Sequence, residues 1–378
     1  MTTVRARDLG VVIGQLPTGP FNAITDVDGV RVGHATIIEG DGPLVVGRGP
    51  VRTGVTVIVP HGGDPWREAV YAGSHRLNGN GELTGLEWIR ESGMLTSPIA
   101  LTNTHSVGVV RDAIIAAEVR DRAATTDAYW ALPVVGETWD GQLSDINSQH
   151  VRPSHLFEAL AAATSGPVAE GSVGGGTGMI CHEFKGGIGT SSRVLAMEAG
   201  GYTVAALVQA NHGWRDRLTI DGVPVGREIP VAEVPSPYDN KSAASPPPGT
   251  GSIIVILATD APLLPHQCDR LAQRAGLGVA RVGGAGENSS GDLFLAFATG
   301  NGPLPVWDLK DQPPLFRDVR SLVDERMTPL FWAAIEATEE AIVNALVAAK
   351  TMVGRDGITA RALPHDRLRE IMARYRPR

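Results

Sequence analysis

Residues Pro235–Leu257 read PSPYDNKSAASPPPGTGSIIVIL. Up to Thr250 the stretch is prolines and small polar side chains with little to pack. Ile253–Leu257 is an unbroken aliphatic, largely β-branched run of strand length. Gly251-Ser252 is the junction between them, and a serine there has two readings. It is the polar start of a buried strand, or it is an N-terminus in waiting. Breaking the bond before Ser252 would place a hydroxyl nucleophile and an α-amine base on one residue, the equipment of a self-processing N-terminal-nucleophile hydrolase.

Working outward, similar apolar runs recur at Val55–Val59, Ile99–Leu101, Leu132–Val135, Thr203–Val208 and Leu293–Phe297, and they read as strands. Helical stripes lie between and after them: Val107, Val110, Ile114 and Ala117; then Leu264, Cys268, Leu271 and Ala275. A third helix, with Thr328 as N-cap and Pro329 at its first position, is expected to bury Phe331, Ile335, Ile342 and Leu346. Strands and helices do not alternate strictly. That predicts a mixed α/β fold of helix-covered sheets and not a doubly wound parallel sheet. Residues 232–250 have a linker's composition, yet the piece after Gly251 begins directly on a strand. One domain over 1–378 is therefore expected, with 232–250 a flexible segment within it.

Composition removes several classes of function. The chain has 378 residues, 43% hydrophobic and 20% charged, enough for a large core. A net charge of −8 with no run of like charges argues against a nucleic-acid partner. Two cysteines suit a reducing compartment and not a disulfide framework. The first thirty residues lack the apolar core of a secretory signal, and no long apolar window suggests a membrane span. The expectation is a soluble cytoplasmic protein.

The glycine-rich Gly171–Gly178 (GSVGGGTG) does not have the register of a dinucleotide fingerprint or a P-loop. It reads as a structural loop, or as one that lets backbone approach a substrate, and Gly186–Arg193 is similarly permissive. His61, His75, His105, His150, His182 and His212 are scattered. Cys181-His182-Glu183 would alternate faces on a strand, so no metal site is expected. Cys268 falls on a helix stripe and reads as core. Asn211 stands where the strand Thr203–Val208 gives way to a turn, and Ser290 and Asp292 just precede Leu293–Phe297. Each is a turn former or a functional group at a strand end.

Asn22–Thr36 (NAITDVDGVRVGHAT), Asn103–Gly108 (NTHSVG), Pro133–Asp145 (PVVGETWDGQLSD), Glu170–Arg193, Tyr202–Gly213 (YTVAALVQANHG), Gly251–Pro265 (GSIIVILATDAPLLP) and Ser289–Asn301 (SSGDLFLAFATGN) appear in this order. Over nearly the whole chain they resemble the DmpA family of P1-type aminopeptidases, which includes L-aminopeptidase/D-Ala-esterase/amidases and β-peptidyl aminopeptidases. The resemblance implies an αββα four-layer sandwich of the DmpA/ornithine acetyltransferase type, like an N-terminal-nucleophile hydrolase. It implies autocleavage at Gly251-Ser252 into 1–251 and 252–378, with the fragments staying together and several such heterodimers assembling.

The resemblance also distributes roles. Ser252 would attack first the Gly251 carbonyl, which a glycine leaves uncovered, and later the substrate, with its own α-amine as base. Ser290 and Asp292 would orient it, Asn211 would face the oxyanion, and Glu137 would receive the substrate's ammonium. Trp139 stands where some relatives carry tyrosine. An indole offers one donor and no acceptor, so pocket shaping suits it better than a proton relay. No cofactor or metal is implied, and the substrate would be a small peptide, amino-acid amide or ester. Related nylon-oligomer hydrolases and ornithine acetyltransferases use threonine, so serine favours the aminopeptidase branch. Acyl transfer and endo-type amide hydrolysis stay open, because the acyl-enzyme is shared. A non-enzymatic binding protein is disfavoured, because Ser252, Ser290, Asp292 and Asn211 are all present.

Overall fold

The computed structural model describes residues 3–122, 129–239, 251–306 and 312–375. Its smaller sheet has four strands: Arg31–Glu39 (β1), Val51–Val59 (β2), Ile99–Asn103 (β4) and Val134–Thr138 (β5), in the order β1-β2-β4-β5. The larger sheet is built on Glu68–Gly79 (β3), Gly187–Val194 (β6), Thr203–Asn211 (β7), Ser252–Thr259 (β8) and Gly291–Ala298 (β9), in the order β3-β9-β8-β7-β6, with short strands beside β3. The pairs β4–β5 and β8–β9 are parallel, and the other pairings among these nine strands are antiparallel.

Alternation along each strand assigns the layers. Ile254 and Ile256 of β8, with Leu293 and Leu295 of β9, meet Val32, Ile58, Leu101 and Val134 between the two sheets. The opposite face of the large sheet, through Ile253, Val255, Leu257 and Phe294, packs on Pro265–Arg281 (α3) and Thr328–Ala348 (α4). The outer face of the small sheet packs on Val107–Asp121 (α1) and Pro153–Ala161 (α2). This is the helix–sheet–sheet–helix sandwich expected from the sequence. Each fully buried Leu, Ile or Val contributes about 1.5–3 kcal/mol relative to exposure, so doubly buried strands dominate the core.

The large sheet is shared across the Pro-rich stretch: β7 and β6, from before Gly251, complete the sheet that β8 and β9 begin. The expected looseness of 232–250 does not extend to its first part. Val234 and Ser236 are buried, and Gln142 Nε2 donates to the Pro237 carbonyl at 2.9 Å. Residues 240–250 lie outside the described residues. Among the described residues no helix is long and apolar enough to cross a membrane.

Two expectations are corrected. Gly186–Arg193 is not a permissive loop; most of it is the fully buried β6. Its polarity is answered internally, since Arg193 donates to Glu336 Oε2 at 3.1 Å and Glu340 Oε2 at 2.7 Å, and Ser191 and Ser192 bond to Asn22. Helix α4 has no single apolar stripe. It is buried nearly all round from Ala333 onward, acids included, because β6, β7 and α3 enclose it; Phe331 is only half-buried and Met327 is its N-cap.

Candidate active site

Three strand ends converge on Ser252. In the ladder Ser252 pairs with Asn211 on one side and with Gly291 on the other. The strand Thr203–Val208 therefore runs on through Asn211, which is a strand residue and not the start of a turn. Asn211 is fixed at both ends: its Oδ1 accepts from Ile180 N at 2.8 Å, and its Nδ2 donates to the Trp139 carbonyl at 3.1 Å. One of the two amide hydrogens stays free for another acceptor.

Gly251 is needed for space. A Cβ there would stand 2.2 Å from the Asn211 carbonyl oxygen and 2.8 Å from His212 Cα. Its carbonyl is not uncovered, as the sequence suggested, but accepts a hydrogen bond from Gly291 N at 3.2 Å. An amide donor is thus already aimed at the carbonyl that a cleavage would attack.

Ser290 and Asp292 come together. Ser290 Oγ donates to Asp292 Oδ1 at 2.7 Å, and both are buried. Burial raises the Asp292 carboxyl to about 6, against the opposing pull of Ser290 and the Ile253 backbone amide. Asp292 therefore meets the start of β8 through the Ile253 amide, with Ser290 held against Asp292; among the described residues neither bonds the Ser252 side chain.

Glu137 sits near the end of β5, two residues before Trp139, and is nearly inaccessible. Its Oε1 accepts from Glu82 N at 2.9 Å, and its Oε2 accepts from the Thr104 hydroxyl. Burial raises its pKa, with those hydrogen bonds opposing the rise. Glu137, Trp139, Gly251 and Ser252 line one pocket of about 450 Å³ together with Asn80, Gly81, Glu82, Thr104 and Ser289. Gly81 threads between the two sheets here: a Cβ on it would be 3.0 Å from Glu137 Oε1 and 3.2 Å from Gly291 Cα.

Sequence reasoning gave no role to Thr104, Asn80–Glu82 or Asp140. Thr104 was visible only as part of NTHSVG, and Asn80–Glu82 looks like any polar turn. Asp140, fully buried and raised to about 7 by burial despite the Thr53 and Asn103 side chains, was visible only as part of PVVGETWDGQLSD. The glycine-rich Gly171–Gly178 is structural. Its turn Gly174–Gly176 is buried and donates to the Thr36 and Thr56 hydroxyls at 2.8 and 3.1 Å.

The argument against convergence of Cys181, His182 and Glu183 also needs correction. They do not lie along one strand, because His182 (φ 47°) and Glu183 (φ 62°) form a turn between Ile180–Cys181 and Phe184–Lys185. Cys181, His182 and His212 end up clustered, all buried. A second cleft, of about 830 Å³, lies away from these groups, between the N-terminal segment and α4.

Comparison with known proteins joins these observations. The profile of peptidase family S58 matches residues 22–360. A β-peptidyl aminopeptidase, BapA, of Sphingosinicella microcystinivorans is 49% identical over 98% of this chain and 92% of its own length. Among solved structures, a β-aminopeptidase of a Burkholderia species superposes with a TM-score of 0.90 at 55% identity, covering 99% of this chain and 100% of that one. The L-aminopeptidase D-Ala-esterase/amidase of Ochrobactrum anthropi, described as a prototype serine aminopeptidase with a variant of the Ntn hydrolase fold, gives 0.89 at 46% identity over 98% of both chains.

Proposed function

The chain belongs to peptidase family S58, and from that premise we propose that Ser252 is the nucleophile freed by cleavage after Gly251 and that Glu137 receives the substrate's ammonium. The protein is a self-processing serine aminopeptidase with the DmpA-type variant of the Ntn hydrolase fold, acting on peptides or amides. One observation carries the assignment of residues: strand register places Asn211 and Gly291 on either side of Ser252, and the pocket Ser252 lines also holds a buried carboxylate, Glu137.

In the intact chain Ser252 Oγ attacks the Gly251 carbonyl carbon, with the Gly291 amide positioned to hold the developing oxyanion. The Gly251–Ser252 C–N bond breaks as an ester forms, and water releases the Gly251 carboxylate and the Ser252 α-amine. In turnover the α-amine, with an unperturbed pKa of about 7.7–8.0, takes the hydroxyl proton as Oγ attacks the substrate and passes it to the leaving amine. Asn211 offers its free amide hydrogen to the oxyanion, and water hydrolyses the acyl-enzyme. Ser290 and Asp292, beside the start of β8, orient the α-amine. Trp139 fixes Asn211 through its carbonyl and shapes the pocket wall with its ring.

The names of the β-peptidyl aminopeptidase relatives support acceptance of residues with a β-amino group. Exposed Leu315 and Phe316 support association of cleaved heterodimers, and the two buried free thiols support a cytoplasmic location. The test is a panel of p-nitroanilides of α- and β-amino acids, each with a free and an N-acetylated amine. Release from free-amine substrates alone is expected; equal release from the acetylated series contradicts the role of Glu137.

A further inference from the structure

Cys181, His182 and His212 bring one thiol and two imidazoles together behind the start of β8, and their potential ligand atoms all lie within 4.8 Å of one another. Cys181 Sγ is 3.9 Å from His212 Nδ1, and the two imidazole rings meet edge-to-face with centroids 5.2 Å apart. The positive-φ turn at His182 is what folds its ring back over His212.

Two ring nitrogens of this cluster find no protein partner. His182 Nδ1 lies 2.9 Å from the Trp214 carbonyl, which fixes the proton on that nitrogen and leaves a lone pair on Nε2. That Nε2 is buried without a hydrogen-bond partner, and so is His212 Nε2. Each such orphan costs on the order of 1–3 kcal/mol. An imidazole whose far nitrogen is held by a backbone carbonyl is the usual arrangement of a metal ligand.

We propose that Cys181, His182 and His212 bind one thiophilic metal ion, Zn²⁺ or Cu⁺. One thiolate and two imidazoles with no carboxylate select these ions over Mg²⁺ or Ca²⁺. Zinc bond lengths of about 2.0–2.3 Å place ligand atoms roughly 3.3–3.7 Å apart, so the widest separation closes by about 1 Å on binding. The thiol proton leaves to solvent as the sulfur–metal bond forms. His212 directly follows Asn211, whose backbone pairs with Ser252, so the ion would tie the turn Cys181–Phe184 to the end of β7. This site is independent of the peptidase reading: it rests on a separate cluster and would exist in an inactive chain.

The test uses the full-length protein after chelator treatment, titrated with Zn²⁺ alone and, anaerobically, with Cu⁺ alone against chromophoric chelators. Uptake of one equivalent of either ion per chain is expected, and the two arms identify which. Cys181→Ser and His182→Asn each delete a ligand and should weaken binding by more than the roughly 10–100-fold that losing a ligand's supporting hydrogen bond costs, with an unchanged circular dichroism spectrum. Co²⁺ bound to the unaltered protein should give a near-ultraviolet thiolate charge-transfer band, a readout that survives even if a variant misfolds. No stoichiometric uptake of either ion, uptake that persists in both variants, or cobalt binding without the thiolate band overturns the proposal.

Discussion

Two sets of buried carboxylates, one under the edge strand β6 and one near the start of β8, are treated differently. Under β6, Glu336 and Glu340 are matched: Arg193 reaches both, and Arg7 adds a second pair to Glu340 at 2.8 Å. Burial pushes Glu340 upward, but Arg7 and Arg193 outweigh it and hold its pKa below the ordinary value. Glu137 in the pocket, Asp140 three residues after it and Asp292 on β9 are also buried, yet among the described residues none has an ion-pair partner, and burial raises all three. A carboxylate buried with its cation is architecture. A carboxylate buried without one can receive a cation from elsewhere, which in the mechanism proposed above is the substrate's ammonium at Glu137 and the Ser252 α-amine at Asp292.

Substitutions can break that contrast. The largest effect is expected from Ser252→Ala: one uncleaved polypeptide and a loss of turnover of roughly 10⁴-fold or more. A residual activity near that of the unaltered protein would end the nucleophile assignment. Arg193→Met strips the buried Glu336 of its guanidinium and leaves Glu340 with Arg7 alone, and should cost about 3–5 kcal/mol of stability, seen as a lower Tm, with kcat nearly unchanged. If kcat falls while Tm holds, the two clusters are not functionally separate.

Asn211→Ala should lower kcat about 10²–10³-fold, the usual loss of one oxyanion donor; near-normal turnover removes it from that role. Glu137→Gln should reduce kcat/KM about 10–100-fold for free-amine substrates, the worth of a charge-assisted bond, and leave the background release from N-acetylated ones unchanged. Its Tm should hold or rise, because burial disfavours the charge being removed. The smallest effect is a matter of pH. Asp292, raised to about 6, is ionised above that pH, so below the limb set by the α-amine itself kcat/KM should fall a second time as pH drops through about 6. Asp292→Asn should abolish this acid limb; an unchanged limb assigns it to another group.

The sequence made the doubly buried strands legible, because a run such as Ile253–Leu257 has no other stable place. It hid β6 for the opposite reason: Gly187–Val194 is polar and glycine-rich, and its burial depends on Arg193 finding Glu336 and Glu340 far along the chain. Ser252, Asn211, Glu137, Ser290 and Asp292 could be named from their motifs. That Asn211 is a strand residue braced by Trp139 and Ile180 is a consequence of three-strand register, which no local pattern encodes. Cys181 and His182 read as facing apart because a strand is expected where the chain makes a turn, and His212, thirty residues on, reads as scattered because no local spacing links it to them.

The central claim is that Ser252 becomes an N-terminus. Purified protein on a denaturing gel, with N-terminal sequencing of the smaller band, tests it directly. The account predicts two bands and a smaller fragment beginning Ser-Ile-Ile-Val; a single intact chain in active protein, or a fragment starting anywhere else, would contradict it.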